Sequence, residues 1–396
     1  TRPPVLLSGP LAGFAAGGNS RIVSAVQCRA MNLLRNLRLA APLGLVTAVF
    51  SAPQGGAQVA DPQAATPPVS TPVVQQIAPQ PDPADGFAGY LELLRAKARA
   101  QGVSQASIDV MTAGLTYNPR VVALDRAQPG SRPGSPPAFW PYYRDHVDAA
   151  RINGGRDMLA SSAAITPGIE AEYGVPAKVL LAIWGHETFY GRVKGDFDLP
   201  RSLASLAYEG RRRALFEGEF LALMKMADRG VPRSKMLGSW AGAFGNPQFL
   251  PSIYLRLARD GDGDGFADIW NNRADTLASI GNYFRDAGWR RGEPWGVKVT
   301  VPDDFDRTAI AEKLQAPSCQ NVHGRHSLWK TVAEWKALGL QPQAAIGDQT
   351  MATLFEPDGP ANGSFLLTGN YRVILHYNCS NYYALSVGLL ADEIAR

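Results

Sequence analysis

The sequence PAKVLLAIWGHETFYG, residues 176–191, decides the fold that we expect for this chain. Proline is favoured where a helix begins, and Pro176 stands directly before a run whose apolar side chains recur at helical spacing. Leu180 and Ile183 fall on one stripe, because residues three and four apart share a helix face. The pattern predicts a helix over Ala177–Phe189 that is buried among other helices.

Glu187 continues the same stripe, four residues after Ile183 and three after Trp184. A carboxyl group on an apolar face is costly to bury unless it is paired or protonated. Glu187 also lies near the C-terminal end of the predicted helix, where the helix dipole disfavours negative charge. Burial and the dipole both raise the pKa of a carboxyl, and an acid with a raised pKa can donate a proton near neutral pH. Two interpretations stay open: a catalytic acid, or a core glutamate neutralised by a cation such as Arg192.

Beyond its N-terminal region the chain is predicted to be mostly α. Helical spacing recurs in four further stretches: Ala214–Ala227, Ser252–Ala258, Ala274–Ala287 and Tyr382–Ala395. Two segments alternate with a period of two, which is typical of strands: GVKVTV over Gly296–Val301 and NYRVILH over Asn370–His376. We expect an α core over residues 86–298, a small α/β insertion over 299–364, and a return of the chain to the core over 365–396.

The first 85 residues are predicted to be an export leader followed by a linker, and no folded domain is expected there. Residues 1–60 read as a leader in which Met31 opens a secretory signal peptide, with two arginines, then the apolar run Leu39–Phe50, then small residues. Residues 61–85 are rich in Pro, Ala and Gln, which is typical of an extended linker. The second half of the chain has no run of about 20 apolar residues, so no stable membrane span is expected in the mature chain.

Composition excludes some classes of protein. With 396 residues and 45% hydrophobic side chains, the chain is too long for one ordinary domain and too apolar to be disordered throughout. Its net charge is only +4, from 39 Lys and Arg against 35 Asp and Glu. Nucleic-acid-binding proteins concentrate far more positive charge, so nucleic acid is not an expected partner.

Residues 238–254, GSWAGAFGNPQFLPSIY, form a second unusual segment. Its glycines allow tight turns and close approach of the backbone. Ser239 and Gln248 could direct hydrogen-bonding groups into a cleft. Three aromatic residues could offer stacking faces: Trp240, Phe244 and Phe249. Such a combination suits a sugar polymer, and the alternative is a loop that packs on the core.

Residues 260–271, DGDGDGFADIWN, match the first half of a calcium-binding EF-hand loop. The first, third and fifth loop positions carry carboxylates: Asp260, Asp262 and Asp264. The twelfth position is Asn271 instead of the usual Glu, so the match is partial, and Asp275 is a candidate to complete the ligand shell. The segment is either a site for a structural cation or a solvated Asp/Gly turn.

Two cysteines follow the expected core, at Cys319 and Cys379. After export they would lie in an oxidising compartment, where a pair is more often bridged than free. Two separately buried thiols are the alternative, because the sequence does not fix the distance between them.

Five segments occur in the order seen in one known family: IWGHETFYG, SWAGAFGNPQFLPSIY, the DGDGDG loop, SIGNYFRDAGW and YNCSNYYALSV. From about Phe139 to the C-terminus the chain resembles the lytic murein transglycosylase B family. The resemblance implies a lysozyme-like, mostly α fold. It also implies an enzyme of the periplasm of a Gram-negative bacterium whose partner is the glycan strand of peptidoglycan.

The resemblance implies that the β-1,4 bond between N-acetylmuramic acid and N-acetylglucosamine is cleaved without water, leaving a 1,6-anhydro ring. Glu187 would be the single catalytic residue, first acid and then base. The implied substrate-binding residues are Ser239, Gln248, Tyr283, Tyr377, Asn378 and Tyr383, with Arg212 and Arg213 directed to the peptide stems. The implied cation ligands are Asp260, Asp262, Asp264 and Asp275. A structural Ca²⁺ is the expected ion, and no cofactor is required for the chemistry.

Two other functions stay open. A muramidase would hydrolyse the same bond, which requires a second acid and a water molecule. A non-catalytic peptidoglycan-binding protein would keep the fold without turnover.

Overall fold

The computed structural model describes residues 85–128 and 138–396 of the chain. The predicted leader with Met31, and residues 61–84 of the predicted linker, lie outside the described residues. Among the helices that are described, none has the length and the apolar character that crossing a bilayer requires.

Fifteen α-helices account for most of the described residues. The first eight are α1 (Phe87–Ala100), α2 (Gln105–Thr112), α3 (Pro119–Arg126), α4 (Phe139–His146), α5 (Ala149–Ser161), α6 (Thr166–Tyr173), α7 (Ala177–Thr188) and α8 (Leu199–Glu209). The others are α9 (Arg213–Asp228), α10 (Pro251–Leu257), α11 (Arg273–Asp286), α12 (Gln320–His323), α13 (Val332–Ala337), α14 (Gly369–Tyr377) and α15 (Asn381–Ile394). Short 3₁₀ turns cover Arg233–Lys235, Arg307–Ile310 and Pro360–Asn362.

Helix α7 lies at the centre of the helical core and packs against α5, α6, α11 and α15. The helix predicted over Ala177–Phe189 is confirmed, and every residue of α7 except Lys178 is buried. It ends one residue earlier than predicted, because Phe189 and Tyr190 adopt left-handed backbone angles, with φ of 52° and 57°. Gly185 is required for this packing, since a Cβ there would lie 2.6 Å from the hydroxyl oxygen of Tyr190.

The four other predicted helices are confirmed to within one residue at each end, as α9, α10, α11 and α15. They were recognisable because each has an apolar stripe at helical spacing that faces the main core. This core is one cluster that includes buried residues of both α1 and α15.

Seven short strands complete the described elements. They are β1 (Phe197–Asp198), β2 (Leu237–Gly238), β3 (Gly296–Thr300), β4 (Lys330–Thr331), β5 (Gln341–Pro342), β6 (Met351–Phe355) and β7 (Ser364–Leu367). Strands β1 and β2 pair with each other, and the other five form an antiparallel sheet in the order β4-β6-β7-β3-β5. The strand predicted over Gly296–Val301 is confirmed as β3. The sheet and α13 share a small core of their own, built around Trp335 and Val332.

The strand predicted over Asn370–His376 is wrong, because this segment forms helix α14. Tyr371, Val373 and Leu375 alternate along the sequence, but Ile374 is buried as well, and Arg372 and His376 form a narrow polar stripe at helical spacing. In a run of only nine residues, an apolar pattern of this kind can imitate the period of a strand. The Thr368 hydroxyl fixes the start of the helix by accepting a hydrogen bond from the backbone N–H of Asn370 at 3.1 Å.

Helices α14 and α15 follow the sheet and bring the chain back into the main core. Because α15 packs along α7, the turn between α14 and α15 comes close to the C-terminal end of α7. Glu187 lies at that end.

Candidate active site

Glu187 is the last residue but one of α7 and is only 4% exposed. Its Oε1 accepts a 2.6 Å hydrogen bond from the hydroxyl of Tyr383, in the first turn of α15. Its Oε2 is also buried and has no hydrogen-bond partner among the described residues. The protein therefore anchors one carboxyl oxygen and, within the described residues, leaves the other without a hydrogen bond.

The electrostatics of Glu187 favour the protonated form. Burial raises the pKa of the carboxyl from 4.5 to about 8, although the Tyr383 hydroxyl acts in the opposite direction by stabilising the carboxylate. Glu187 is in no ion pair within residues 85–128 and 138–396, and Arg192 instead lies over the ring of Phe189, 4.9 Å from its centroid. The alternative of a glutamate neutralised by Arg192 therefore does not match the structure.

A second tyrosine, Tyr377, lies near this carboxyl, and Tyr283 packs against Tyr377. Burial raises the pKa of Tyr377 well above 10, and the charge of Glu187 adds to the shift, so the two groups are close. The rings of Tyr377 and Tyr283 meet edge to face, with centroids 4.7 Å apart. Their hydroxyls donate to backbone carbonyls, Tyr377 to Pro247 and Tyr283 to His376 at 2.9 Å. Both rings are thereby fixed in position, and Tyr377 is the one near the acid.

In the segment over residues 238–254, Ser239 and Gln248 form side-chain hydrogen bonds with backbone groups of the protein itself. The Oγ of Ser239 accepts a hydrogen bond from the N–H of Ala243 at 2.9 Å. The side-chain amide of Gln248 donates to the carbonyls of Gly245 at 3.0 Å and Lys194 at 3.2 Å, and its backbone is left-handed, with φ of 51°.

The aromatic residues of this loop do not offer stacking faces, contrary to the prediction. Trp240, Phe244 and Phe249 are each at most 1% exposed. The ring of Phe244 stacks on Trp270 with centroids 5.2 Å apart, and Phe249 packs against Tyr283. Loops with closely spaced aromatic residues bury them where a core can accept them, so the alternative of a loop packed on the core is correct for these rings.

Asn378 directly follows α14 and is 2% exposed. Its backbone N–H donates to the carbonyl of Ile374 at 3.1 Å, while its side-chain Oδ1 has no partner among the described residues. A buried side-chain oxygen of this kind has capacity for a further hydrogen bond, to a water molecule or to a ligand.

Arg212 and Arg213 are held by contacts to the chain itself. Arg212 pairs with the buried carboxylate of Asp125, to which Arg211 also binds. The guanidinium of Arg213 donates to the carbonyls of Ala207 and Tyr208, at 3.2 Å each. These contacts hold both side chains against α3 and α8.

The predicted cation loop brings three carboxylates together. Asp260, Asp262 and Asp264 are exposed, and one oxygen of each lies within 4.8 Å of the others. Asp275 lies behind the loop and is fully buried. Its two oxygens accept hydrogen bonds from the backbone N–H groups of Gly261 at 2.8 Å and of Asp268 at 2.6 Å. In this arrangement Asp275 supports the loop, and the other three carboxylates could hold a hard cation.

Comparisons with known proteins agree with this geometry. Residues 86–392 match the family described as the transglycosylase SLT domain. The chain is 30% identical over 286 residues to membrane-bound lytic murein transglycosylase B of Escherichia coli (strain K12), covering 72% of this chain and 68% of that protein. The chain belongs to this transglycosylase family.

Two solved structures extend the comparison. SltB3 from Pseudomonas aeruginosa, in complex with NAG-anhNAM-pentapeptide, has a TM-score of 0.70 and 38% identity, over 78% of this chain and 79% of that one. The soluble lytic transglycosylase SltB1 from the same organism has a TM-score of 0.65 and 27% identity, over 78% of this chain and 98% of that one. The predicted fold class, a mostly α, lysozyme-like core with a small sheet, is confirmed. The protein is a lytic transglycosylase that acts on peptidoglycan.

Sequence reasoning missed the contact that ties the loop of this transglycosylase to its acid-bearing helix. The Thr188 hydroxyl donates to the carbonyl of Asn246 at 3.0 Å and accepts from the N–H of Gly191 at 3.0 Å. The Asn246 amide in turn donates to the Thr276 hydroxyl on α11 at 3.0 Å. The signal was present in the sequence, because a polar residue directly after Glu187 on a buried helix requires a partner.

Cys319 and Cys379 form a disulfide, with sulfur atoms 2.07 Å apart, in the structure of this transglycosylase. The bridge joins the segment before α12 to the turn between α14 and α15. Asn378 directly precedes Cys379, so the disulfide attaches the insertion to the turn that carries Asn378.

Proposed function

We propose that this lytic transglycosylase cleaves the β-1,4 bond between N-acetylmuramic acid and N-acetylglucosamine non-hydrolytically, and releases 1,6-anhydromuropeptides. The observation that carries the proposal is the isolation of Glu187. In the part of the chain that the structure describes, this carboxyl is buried, has a pKa raised to about 8, and contacts a tyrosine instead of a cation or a second acid. One carboxyl with these properties is suited to act first as an acid and then as a base.

In the first step of the proposed mechanism, Glu187 gives its proton to the oxygen that links the two sugars. The bond from that oxygen to C1 of the muramyl ring breaks, and the N-acetylglucosamine side leaves as an alcohol. The carbonyl oxygen of the muramyl N-acetyl group bonds to C1 and spreads the positive charge over an oxazolinium ring. No second carboxylate is needed, because the substrate supplies the nucleophile.

In the second step, the C6 hydroxyl of the same muramyl ring attacks C1 and displaces the acetamide oxygen. Its proton passes to the carboxylate of Glu187, so the acid is regenerated and water is not consumed. Attack within one ring is fast because the reacting groups are already held together. The unpaired Oε2 supports this role, since an oxygen without a protein partner can exchange a proton with the substrate.

The other predicted residues are proposed to bind the glycan strand. Asn378 is the strongest candidate, because its buried Oδ1 lacks a partner among the described residues and could orient the N-acetyl group. We propose that Tyr377 and Tyr283 border the developing positive charge. Ser239 and Gln248 are proposed to shape the loop, with backbone groups near the sugar. Contact of Arg212 and Arg213 with the peptide stems stays a proposal.

Product analysis tests this function. The purified protein and its Glu187→Gln variant are incubated with peptidoglycan sacculi, and the released fragments are identified by mass spectrometry. Anhydro-muramyl ends from the wild type, and none from the variant, are the expected result. Reducing muramyl ends would indicate a muramidase, and release by a folded Glu187→Gln variant would exclude Glu187 as the catalytic residue.

We infer that the protein works in the bacterial cell envelope, because peptidoglycan is found there. The finer proposal is the periplasm of a Gram-negative bacterium, reached by export through a signal peptide that begins at Met31. Export also agrees with a disulfide between Cys319 and Cys379. Separation of periplasmic and cytoplasmic fractions, followed by N-terminal sequencing of the mature protein, tests the proposal.

A structural Ca²⁺ at Asp260, Asp262 and Asp264 is also proposed. Three carboxylates with oxygens within 4.8 Å repel one another without a cation, and calcium prefers oxygen ligands in flexible loops. The expected result is a rise in melting temperature on addition of Ca²⁺ that is absent in an Asp262→Asn variant. No effect of calcium or of chelator on the wild type would exclude the site.

A further inference from the structure

A buried cluster of polar groups joins the sheet insertion to the first turn of α15. The His326 ring contacts Thr353 Oγ1 through Nδ1 at 3.1 Å and Asn381 Oδ1 through Nε2 at 2.9 Å. The Tyr371 hydroxyl donates to the backbone carbonyl of Asn381 at 3.0 Å and lies 3.2 Å from the same Oδ1, and the Asn381 amide donates to the carbonyl of Val322 at 2.9 Å. We call these five residues the His326 cluster.

The hydrogen bonds of the cluster define the state of the histidine. Asn381 must direct its NH₂ group to the Val322 carbonyl, so its Oδ1 is the acceptor that faces His326. Nε2 therefore carries the hydrogen, and Nδ1 accepts from the hydroxyl of Thr353. Burial lowers the pKa of His326 to about 3. The ring is thus neutral at the pH values at which the enzyme can be assayed.

The charged groups around the cluster favour the same state. His323, Arg325 and Arg372 all disfavour a positive charge on His326. On the Glu187 side, Tyr383 and Tyr377 are near the carboxyl. The ring of His186 lies 5.5 Å from that of Tyr383, and burial lowers the pKa of His186 well below 6.5. A change in the pH dependence of activity can therefore be assigned to Glu187 and its tyrosines, and not to His326 itself.

Asn381 is the first residue of α15, and Tyr383 follows two residues later. The first turn of α15 is hydrogen-bonded to the insertion through Asn381 and His326, and to the helical core through Tyr383 and Glu187. These two hydrogen bonds together fix the start of α15. A shift of the turn by a few tenths of an ångström would weaken the Tyr383 hydrogen bond, because hydrogen bonds have a narrow range of distance and angle.

We propose that His326 is a positioning residue for the transglycosylase reaction: through Asn381 it holds the first turn of α15, so that Tyr383 meets the carboxyl of Glu187. The inference rests on the proposed role of Glu187 as the acid. Among the described contacts, the insertion supplies no side chain to Glu187. If His326 positions α15, the insertion nevertheless contributes to setting the pKa of Glu187.

The test compares the pH dependence of turnover in matched variants. His326→Leu removes both ring contacts and keeps the site apolar, while Tyr383→Phe removes the final hydrogen bond directly. Ser327→Ala is the control, because Ser327 is equally buried on the same segment and its Oγ binds the N–H of Leu354 at 2.8 Å. The quantity measured is the alkaline midpoint, the pH at which the initial rate of muropeptide release has fallen to half.

The expected results follow from the loss of a hydrogen bond to a carboxylate, which raises the pKa of the acid. Tyr383→Phe should move the alkaline midpoint upwards, and His326→Leu should move it in the same direction by about half a pH unit, with a kcat reduced about tenfold. The double variant should move it no further than Tyr383→Phe alone, since both changes act on one contact. His326→Gln, which keeps a donor towards Asn381, should restore most of the shift, and Ser327→Ala should keep the wild-type midpoint.

Three outcomes overturn the inference: a wild-type midpoint in His326→Leu, shifts that add in the double variant, or an equal shift in Ser327→Ala. If His326→Leu does not fold, as judged by circular dichroism, the Asn381→Ala variant is measured instead. It removes the same hydrogen bond between His326 and Asn381, and its alkaline midpoint then tests the inference. A wild-type midpoint in Tyr383→Phe has a different meaning, because it would refute the proposed role of Glu187 as the titrating acid.

Discussion

The hydroxyl of Tyr383 donates a 2.6 Å hydrogen bond to Oε1 of Glu187, across 196 residues of sequence. This contact joins the last helix of the chain to the central helix α7. Burial raises the pKa of the Glu187 carboxyl, and the hydroxyl limits the rise by stabilising the charged form. The two effects together leave an acid that can both give and take a proton near neutral pH.

Replacing Tyr383 with Phe should slow the reaction and extend activity to higher pH. Without the hydroxyl, the carboxylate form of Glu187 loses its stabilising partner, so its pKa rises above about 8. We expect a kcat about tenfold lower and a higher alkaline midpoint, with KM little changed. Initial rates of muropeptide release over a range of pH give these values.

Tyr382→Phe is the matched control, since the Tyr382 ring packs on Phe139 with centroids 5.6 Å apart. Its pH profile should equal that of the wild type. A profile of Tyr383→Phe that coincides with the control would contradict the prediction.

Replacing Glu187 with Gln should stabilise the protein, and the effect should depend on pH. The carboxyl has a folded pKa of about 8 against an ordinary value of 4.5, so the folded state retains a proton that the unfolded chain releases. The stability from this raised pKa is fully present below pH 4.5 and is lost as the pH rises to about 8. Each unit of displacement corresponds to about 1.4 kcal/mol.

Urea unfolding of the wild type and of Glu187→Gln, at pH 4.5 and at pH 8.5, measures the effect. The free energies of unfolding should be similar at the lower pH, and the variant should be more stable at the higher pH by a few kcal/mol. If the difference in the free energy of unfolding between the two proteins were the same at both pH values, the pKa of Glu187 in the folded protein would be close to its ordinary value.

Thr188→Val should reduce activity and stability together. The valine keeps the shape of the side chain but leaves the Asn246 carbonyl and the Gly191 N–H without their common partner. Unpaired buried groups cost about 1–3 kcal/mol. The end of α7 and the loop over residues 238–254 would then be less firmly held beside Glu187, and kcat should fall.

Thr188→Ser keeps the hydroxyl and is the control for this change. We expect its unfolding midpoint and kcat to be close to those of the wild type. Equal losses in both variants would indicate that the methyl group, and not the hydrogen bonds, is responsible.

Removing the disulfide should destabilise the insertion and the turn that carries Asn378. The bridge closes a loop of 60 residues between Cys319 and Cys379, for which the entropy of the unfolded chain predicts about 4 kcal/mol. A variant with serine at both positions should show this loss in urea unfolding. Addition of a reductant should lower the stability of the wild type but not that of the double-serine variant; no effect of reductant on either protein would contradict the prediction.

The helical part of the fold could be predicted from local pattern. Helix α7 and four other helices were placed to within one residue, because apolar side chains recur along each of them at the helical period. Helix α14 was mistaken for a strand, because Tyr371, Val373 and Leu375 alternate along a segment of only nine residues. Over so short a run, the periods of a helix and of a strand are difficult to distinguish.

The candidate site was predictable to a similar extent. A carboxyl on an apolar stripe could be expected to have a raised pKa, and the structure gives Glu187 a value of about 8. The stacking faces assigned to Trp240, Phe244 and Phe249 were wrong, since the sequence of a loop does not show which of its sides meets the core. The contact of Thr188 with Asn246 was missed for the same reason.

The sequence by itself determined that an acid would be buried at the end of a central helix, because burial of an apolar stripe follows from the spacing of residues only a few positions apart. Only the tertiary structure decided what that acid touches. Tyr383 reaches Glu187, and His326 reaches Asn381, across long separations in the chain. Such contacts depend on how whole helices and the sheet pack, and the local periodicity of the sequence does not identify the residue that each side chain contacts.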